Sequence, residues 1–462
     1  MRPVADAVSA FIFFTVPLFG TEMPLIVLWL VGGGLFFTIY LRFINVRGFA
    51  EAVRVVSGKH ARAGDPGEIS QFSALTTAVS GTVGIGNMAG VAVAISTGGP
   101  GATFWLMVAG LLGMSSKFAE CTLGVLYRRQ NPDGSVSGGP MHYLERGLGE
   151  RGWPGLGRRL GAFYAASLVF GCLGIGNMFQ SNQAAAIFID ITGGDASLFA
   201  GRGWLIGLGL AGVVALVIIG GIQSIARTTV RLVPAMALLY LTLAALTIAL
   251  NADRLPGAIA AIWEGAFTPS GAAGGAIGAL IIGFRRAVFS NEAGLGSAAI
   301  AHATARTPQP ASEGFVGLLE PFIDTVVICT ATALVITTTI YDPSLASGDV
   351  SGIEMTIRAF ASTLSWSPVP LAIAAILFAF STMIAWAYYG LKAFTYLAGE
   401  GRLQDLSFKF FFCLFVVVGA SVNLGAITDL SDALVFVVAI PNLVGLYLMA
   451  PIVRRELERY RT

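Results

Sequence analysis

Charge is scarce in this chain. Asp, Glu, Lys and Arg make up 12% of the 462 residues, about half the share of a typical soluble domain, while 55% are hydrophobic and the mean hydropathy is +0.77. A soluble globular fold is thereby excluded. Histidine and cysteine are also sparse, with 3 and 4 copies. Cys121, Cys172, Cys329 and Cys413 stand singly in apolar runs without metal-ligand spacing, so they read as small core residues. A net charge of +2 without a basic stripe excludes nucleic acid as a partner. Strand-length alternation is missing, which excludes a membrane β-barrel. The first 20 residues lack the basic start and cleavage site of a signal peptide, and the apolar run from Phe11 to Phe19 is too short to span. That run is expected to lie at the interface or pack as a re-entrant piece.

What is present instead is a series of apolar blocks of about 20 residues, the length a helix needs to cross a bilayer. The pattern predicts an all-α polytopic membrane protein with eleven spans: Leu25 to Leu41, Phe72 to Ser96, Phe104 to Leu126, Phe163 to Ile189, Trp204 to Ile222, Leu232 to Leu250, Gly274 to Ala303, Phe315 to Thr339, Leu371 to Tyr396, Phe408 to Val422 and Asp429 to Ile452. Of 28 Lys and Arg residues, 21 fall on alternate connections or the carboxyl tail, and Arg2, Arg202, Arg254 and Arg358 fall on the other side. The bias places the amino terminus outside and the carboxyl terminus in the cytoplasm.

Setting aside the first span leaves ten, or two sets of five that enter the membrane in opposite senses. The expected organisation is one transmembrane domain over 1–462: an amino-terminal segment and span one in 1–71, a first repeat over 72–250 and an inverted second repeat over 274–452. Each repeat opens on a glycine-interrupted span. "TVGIGNMAG" carries Gly84 and Gly86, and "NEAGLGSAA" carries Gly294 and Gly296. Interrupted helices at matching places in inverted halves point to a secondary transporter with its site near the bilayer midplane. An unpaired backbone group in hydrocarbon costs several kcal/mol, so a broken helix persists only where protein, ligand or water supplies partners. Freed carbonyls suit Na⁺, and freed amides suit a carboxylate.

The pentapeptide Gly-Ile-Gly-Asn-Met recurs at Gly174 to Met178. There Gly174, Asn177 and Ser181 share a face at 3.6-residue periodicity, with Gln180 at its edge. This face is expected to look onto the first break, with interhelical polar bonding as the alternative. A dinucleotide fingerprint at Gly84, Gly86 and Gly90 is excluded by the lack of a preceding strand and of an acid about 20 residues on. Gly86 and Gly90 also form a GxxxG that lets helices approach closely.

Ionisable groups within spans are functional candidates by default. They are Glu292 inside the second break, Glu320, Asp324, and Lys117 with Glu120, expected to pair at i, i+3. Arg285 and Arg286 precede the second break and suggest an outer gate. His60, His142 and His302 lack partners at useful spacing and read as structural. In span nine, Thr382, Trp386 and Tyr389 line one face beside Ser381.

"TVGIGNM" resembles the interrupted first helix of neurotransmitter:sodium symporters, whose hallmark is also Val-Gly-x-Gly-Asn. "GGPGATFW" (98–105), "SGGPMHYLERGLG" (137–149), "AVFSNEAGLGSA" (287–298) and "WAYYG" (386–390) narrow the resemblance to the alanine/glycine:cation symporter family. The chain departs from that family's pattern at Thr103, Leu106 and Met107. The resemblance implies a symporter in the cell membrane that couples Na⁺ influx to uptake of a small neutral amino acid, alanine or glycine, with no organic cofactor and no catalytic residue. It implies a substrate carboxylate at the amides of Gly84 and Ile85 with Gln180 or Asn177. The ammonium would meet carbonyls near Thr82 and Phe289, with Ser290 and Asn291 adjacent, and Trp386 would cap the site. The cation would sit between the carbonyls of Ser80 and Val83 and the hydroxyls of Ser381 and Thr382, with a further ion at Asn87. Three alternatives stay open: proton coupling through Glu292, Glu320 or Asp324, a channel, and an intramembrane hydrolase using Ser297 and His302. The last is disfavoured because those side chains diverge by about 140° on one helix.

Overall fold

Apolar runs of this length have one way to satisfy their backbone in lipid, and the computed structural model forms it: nearly every expected span is helix. Residues 12–18, 21–59, 64–132, 134–268, 275–340, 352–422 and 424–462 are described, with backbone alone at 18, 21 and 424–435. Arg2, Phe11, Phe19, His60, Arg62 and Gly274 lie outside them. The long helices are α1 (Leu25–Tyr40), α2 (Gln71–Thr82), α3 (Gly86–Gly98), α4 (Gly101–Leu126), α5 (Pro154–Ile191), α6 (Gly203–Ile218), α7 (Gly221–Leu250), α8 (Leu255–Phe267), α9 (Gly275–Asn291), α10 (Ala298–His302), α11 (Pro310–Thr339), α12 (Pro368–Ala398), α13 (Arg402–Gly419) and α14 (Leu424–Arg461). Six of them are long and apolar enough to cross a membrane, and α2 with α3 makes a seventh crossing as one bent span. α1 and α6 are apolar but shorter.

Local start signals are a cap and a set of prolines. Ser70 caps α2 by accepting the Ser73 amide (3.1 Å), and Pro stands in the first turn of α5, α8, α11 and α12. The chain is then turned inside out relative to a soluble protein. Leu208, Leu216, Leu238 and Phe410 are exposed, whereas Lys117, Glu120, Asn87 and Asp324 are fully buried. Apolar surface toward lipid and ionisable groups inside is the arrangement a bilayer demands.

Two regions differ from the sequence expectation. The segment before α1, expected at the interface or as a re-entrant piece, forms a β-hairpin, Thr15–Leu18 paired with Thr21–Pro24. Short helices such as Phe49–Val56, Pro140–Glu150, α8 and Ile353–Ala361 escaped the 20-residue criterion because they are too short to span. α8 packs on α4, where Trp105 Nε1 donates to the Ala266 carbonyl (3.1 Å) and Gly101 meets the Gly265 backbone.

Both predicted interruptions are present. α2 ends at Thr82 and α3 begins at Gly86, with their axes 54° apart. α9 ends at Asn291 and α10 starts at Ala298. Between them Glu292, Gly294 and Gly296 take left-handed φ of 56°, 92° and 76°. Glycine adopts such values freely, and Glu292 holds its own at a cost characteristic of functional segments. The second Gly-Ile-Gly-Asn-Met does not break its helix. It forms a π-turn, Gly174–Phe179, inside a continuous α5. Further π-turns lie at Gly86–Gly90 and at Phe322–Cys329, the latter directly after Pro321, which cannot supply the α-helical amide.

Candidate functional site at the two helix breaks

The last turn of α2 carries Ser80 to Val83 against the middle of α12. Ser80 Oγ donates to the Ser381 carbonyl (3.2 Å), and Ser381 Oγ donates back to the Ser80 carbonyl (3.4 Å). Val83 closes α2 in an extended conformation. The Thr382 hydroxyl, bonded to Phe378 O (3.0 Å), faces Gly84 so closely that a Cβ there would lie 2.7 Å from Thr382 Oγ1. Ser80 and Ser381 therefore meet through neutral oxygens, with the Thr382 hydroxyl beside Gly84, and such oxygens are the ligand type that suits a hard cation.

Trp386, one turn further along α12, spans both breaks. Its indole N–H donates to the Gly81 carbonyl (3.3 Å) and to Glu292 Oε1 (3.0 Å), while Ser297 Oγ donates to Glu292 Oε2. Gly176 makes room for the ring, because a Cβ there would lie 2.2 Å from Trp386 Cβ. The close approach thus belongs to Gly176, not Gly174. Gly176→Ala is expected to destabilise the protein by about 1–3 kcal/mol through overpacking, read as a lower melting temperature in detergent. An unchanged melting temperature would remove this role.

Several expected site residues are placed differently. Asn177 is not brought to the break, because its amide donates to the Phe412 carbonyl of α13 (2.7 Å). Ser181 Oγ also packs there, against Gly419. Gln180 does face the break. Its Nε2 donates to Ile175 O (3.2 Å), and its Oε1 lies 3.5 Å from where a Gly84 Cβ would be. The Gly84 amide is already engaged, donating to Asn87 Oδ1 (2.8 Å), which leaves Ile85 of the two amides proposed for a carboxylate. Thr82 returns its hydroxyl to Val79 O (3.3 Å). Phe289, Ser290 and Asn291 are the last residues of α9 rather than unwound, at a helix end that leaves carbonyls without intrahelical donors.

Asp324, flagged in the sequence only as an ionisable group, joins the two breaks. Its Oδ1 accepts from Asn87 Nδ2 (2.6 Å), and its Oδ2 accepts from Ser290 Oγ (2.8 Å) and Thr325 Oγ1 (2.7 Å). Asn291 Nδ2 donates to Thr325 Oγ1 (3.0 Å), and Asn291 Oδ1 accepts the Ala293 amide (2.9 Å). One π-turn of α11 therefore fixes both unwound segments. No spacing within the sequence reports this contact. The one local signal is Pro321 upstream, which forces the π-turn that presents Asp324.

The remaining charged groups also pair differently than expected. Lys117 bonds Glu320 on α11 (3.0 Å), not Glu120 one turn away. Glu120 instead accepts from the Gly296 amide (3.2 Å) and Asn442 Nδ2 (2.9 Å), capping the second break. His302 does have a partner, Glu313 (2.6 Å). Ser297 and His302 thus point to different carboxylates, which removes the hydrolase reading. His142 packs edge-on against Tyr396.

A cavity of about 700 Å³, lined by Asp190, Arg286, Glu354 and Arg358 among others, descends to Phe179 and Phe289. Those rings meet edge to face at 5.7 Å. At the opposite end the connecting segments are stapled together beside a second cavity of about 700 Å³ lined by Glu68, Tyr388 and Lys392 among others. The Arg128 guanidinium donates to the carbonyls of Pro66, Ala303, Ala305 and Thr307 (2.7–2.9 Å), and Ile69 pairs with Ala305.

Helices interrupted within the membrane, laced together by side chains and reached by a cavity from one end, define a transporter rather than an enzyme. Comparison with known proteins gives the family. The sodium:alanine symporter family matches residues 8–462, and the chain belongs to it. It is 37% identical to the sodium/alanine symporter AgcS of Methanococcus maripaludis, over 95% of this chain and 94% of that one. It is 34% identical to a probable sodium/glutamine symporter, GlnT of Bacillus subtilis, over 94% and 87%. Its fold is similar to that of MhsT crystallised with L-phenylalanine, with a TM-score of 0.59, 14% identity, and coverage of 84% of this chain and 90% of that one.

Proposed function

We propose that this multi-pass symporter couples Na⁺ influx to uptake of a small neutral amino acid, alanine or glycine, by alternating access. The observation that carries the reading is the meeting of two unwound segments with Ser381, Thr382, Gln180 and Trp386 around them. One Na⁺ is held by the Ser80 and Val83 carbonyls with the Ser381 and Thr382 hydroxyls. A second sits at Asn87 beside Asp324, whose three bonded side chains are all neutral and leave its charge for a cation to offset. The substrate carboxylate takes the Ile85 amide with Gln180. Its ammonium takes the end carbonyls of α2 and α9 near Thr82 and Phe289, and Trp386 limits side-chain size. The halves 72–250 and 274–452 act as inverted repeats. The amino terminus lies outside, so the cavity above Phe179 and Phe289 opens outward and the Arg128 staple closes the cytoplasmic side.

Uptake of labelled alanine into proteoliposomes under a Na⁺ gradient alone tests this directly. Accumulation is expected, and competition by small L- and D-amino acids then sets the substrate range. Failure under Na⁺ with success under a pH gradient would overturn sodium coupling in favour of protons. Ser381→Ala is expected to raise the Na⁺ concentration for half-maximal uptake about tenfold, the effect of losing one ligand worth roughly 1.4 kcal/mol. An unchanged sodium dependence would move the ion elsewhere.

A further inference from the structure

On the Arg128 side of the breaks lies a cluster of ionisable groups that the proposed transport cycle does not use. Lys117 and Glu120 on α4, His302 on α10, and Glu313 and Glu320 on α11 are all fully buried, with Glu292 of the second break nearby. Four carboxyl groups thus face one lysine and one histidine. The neighbouring Arg128 is committed to its four carbonyls, and Cys121 contributes only a thiol. Excess negative charge of this size is untenable in a membrane interior without bound cations or protons.

The hydrogen bonds show where a proton belongs. Glu313 accepts from Gln71 Nε2 on α2 (3.0 Å) through one oxygen and meets His302 Nδ1 through the other (2.6 Å). With Glu313 ionised it can only accept, and Nδ1 is then the donor. In a neutral imidazole Nε2 then carries a lone pair. It faces Glu320 Oε2 at 3.9 Å, and both atoms lack a hydrogen-bond partner among the described residues. Glu320 Oε1 is taken by Lys117 (3.0 Å). Without a proton, two buried lone pairs oppose each other. With one, His302 bridges two carboxylates.

We propose that His302 and Glu320 share an exchangeable proton at a cation site separate from the helix breaks, and that its occupancy sets how firmly α10 is tied to α11. Through Glu313 and Gln71 the same chain reaches α2, so the proton joins the proposed cytoplasmic ends of both interrupted helices. An alkaline interior empties the site, frees α10 and speeds opening toward the cytoplasm. This rests on the inward-symport reading for its direction, not for the existence of the site.

The test uses the full chain in proteoliposomes with a fixed Na⁺ gradient and fixed outer pH, while the inner pH is raised from about 6 to about 8.5, across the physiological range in which histidine serves as a proton switch. Wild-type uptake is expected to rise about fivefold, within the tenfold per pH unit that one proton allows. His302→Gln, which keeps a donor for Glu313, and Glu320→Gln should both flatten the profile. A flat wild-type profile, or variants that keep the wild-type slope, would overturn the proposal. Solid-state ¹⁵N NMR of histidine in a His60→Gln/His142→Gln background reads the site without transport. Protonation of both His302 nitrogens at the acid end is expected, and a neutral imidazole at every pH with no proton shared to Glu320 contradicts it. Absence of sodium-driven uptake at every pH would sink the functional reading alone and leave the NMR result to decide the site.

Discussion

Asp324→Asn is expected to reduce sodium-driven uptake about 100-fold while leaving the protein folded in the membrane. The carboxylate accepts three hydrogen bonds, from Asn87 beside the first break and from Ser290 and Thr325 beside the second. An asparagine of the same shape offers one accepting oxygen and turns an amide toward groups that also donate. Hydrogen bonds to a charged group contribute about 1.5–3 kcal/mol each, and a net loss of roughly 2.8 kcal/mol corresponds to about 100-fold. The loss should appear in the maximal rate and in the Na⁺ dependence together, because Asn87 also positions the Gly84 amide (2.8 Å). Uptake within about threefold of wild type would show that the breaks keep their register without this clamp.

The second large effect is on stability. Lys117→Met strips the buried Glu320 carboxyl of its ammonium partner, and breaking a buried pair in this way costs about 3–5 kcal/mol. Thermal unfolding of the purified protein in detergent should show it as a marked fall in midpoint. The double variant Lys117→Met/Glu320→Leu should recover most of that loss, because two apolar groups of similar volume need no compensation. Equal destabilisation in the single and double variants would mean that packing, not charge, dominates the site.

The helices and both breaks were legible because each comes from local arithmetic: apolar runs of bilayer length, and Gly-x-Gly pairs at Gly84 and Gly294 within two of those runs. The pairing of charges was not. Lys117 has Glu120 one turn away, yet its partner is 203 residues distant, and no local spacing reports a contact between helices. Asn177 misleads for a sharper reason. The face it shares with Ser181 exists, but that face meets α13, while Gln180 at its edge meets the break. Helical periodicity groups side chains on a face and does not report which neighbour the face meets. Asp324 was visible as a costly charge within a span, and its role became visible only once Pro321 and the turn behind it placed the carboxylate between Asn87 and Ser290.

The central claim is that the unwound main chain at Val83 to Gly86 and at Glu292 to Ser297 holds the amino acid and its ion. A structure determined with alanine and Na⁺ bound tests it most directly. The account predicts the zwitterion between the two breaks, its carboxylate toward Ile85 and Gln180 and its ammonium toward the end of α9, with Na⁺ among Ser80, Val83, Ser381 and Thr382. Alanine seated elsewhere, or either break closed into continuous helix around it, would contradict it.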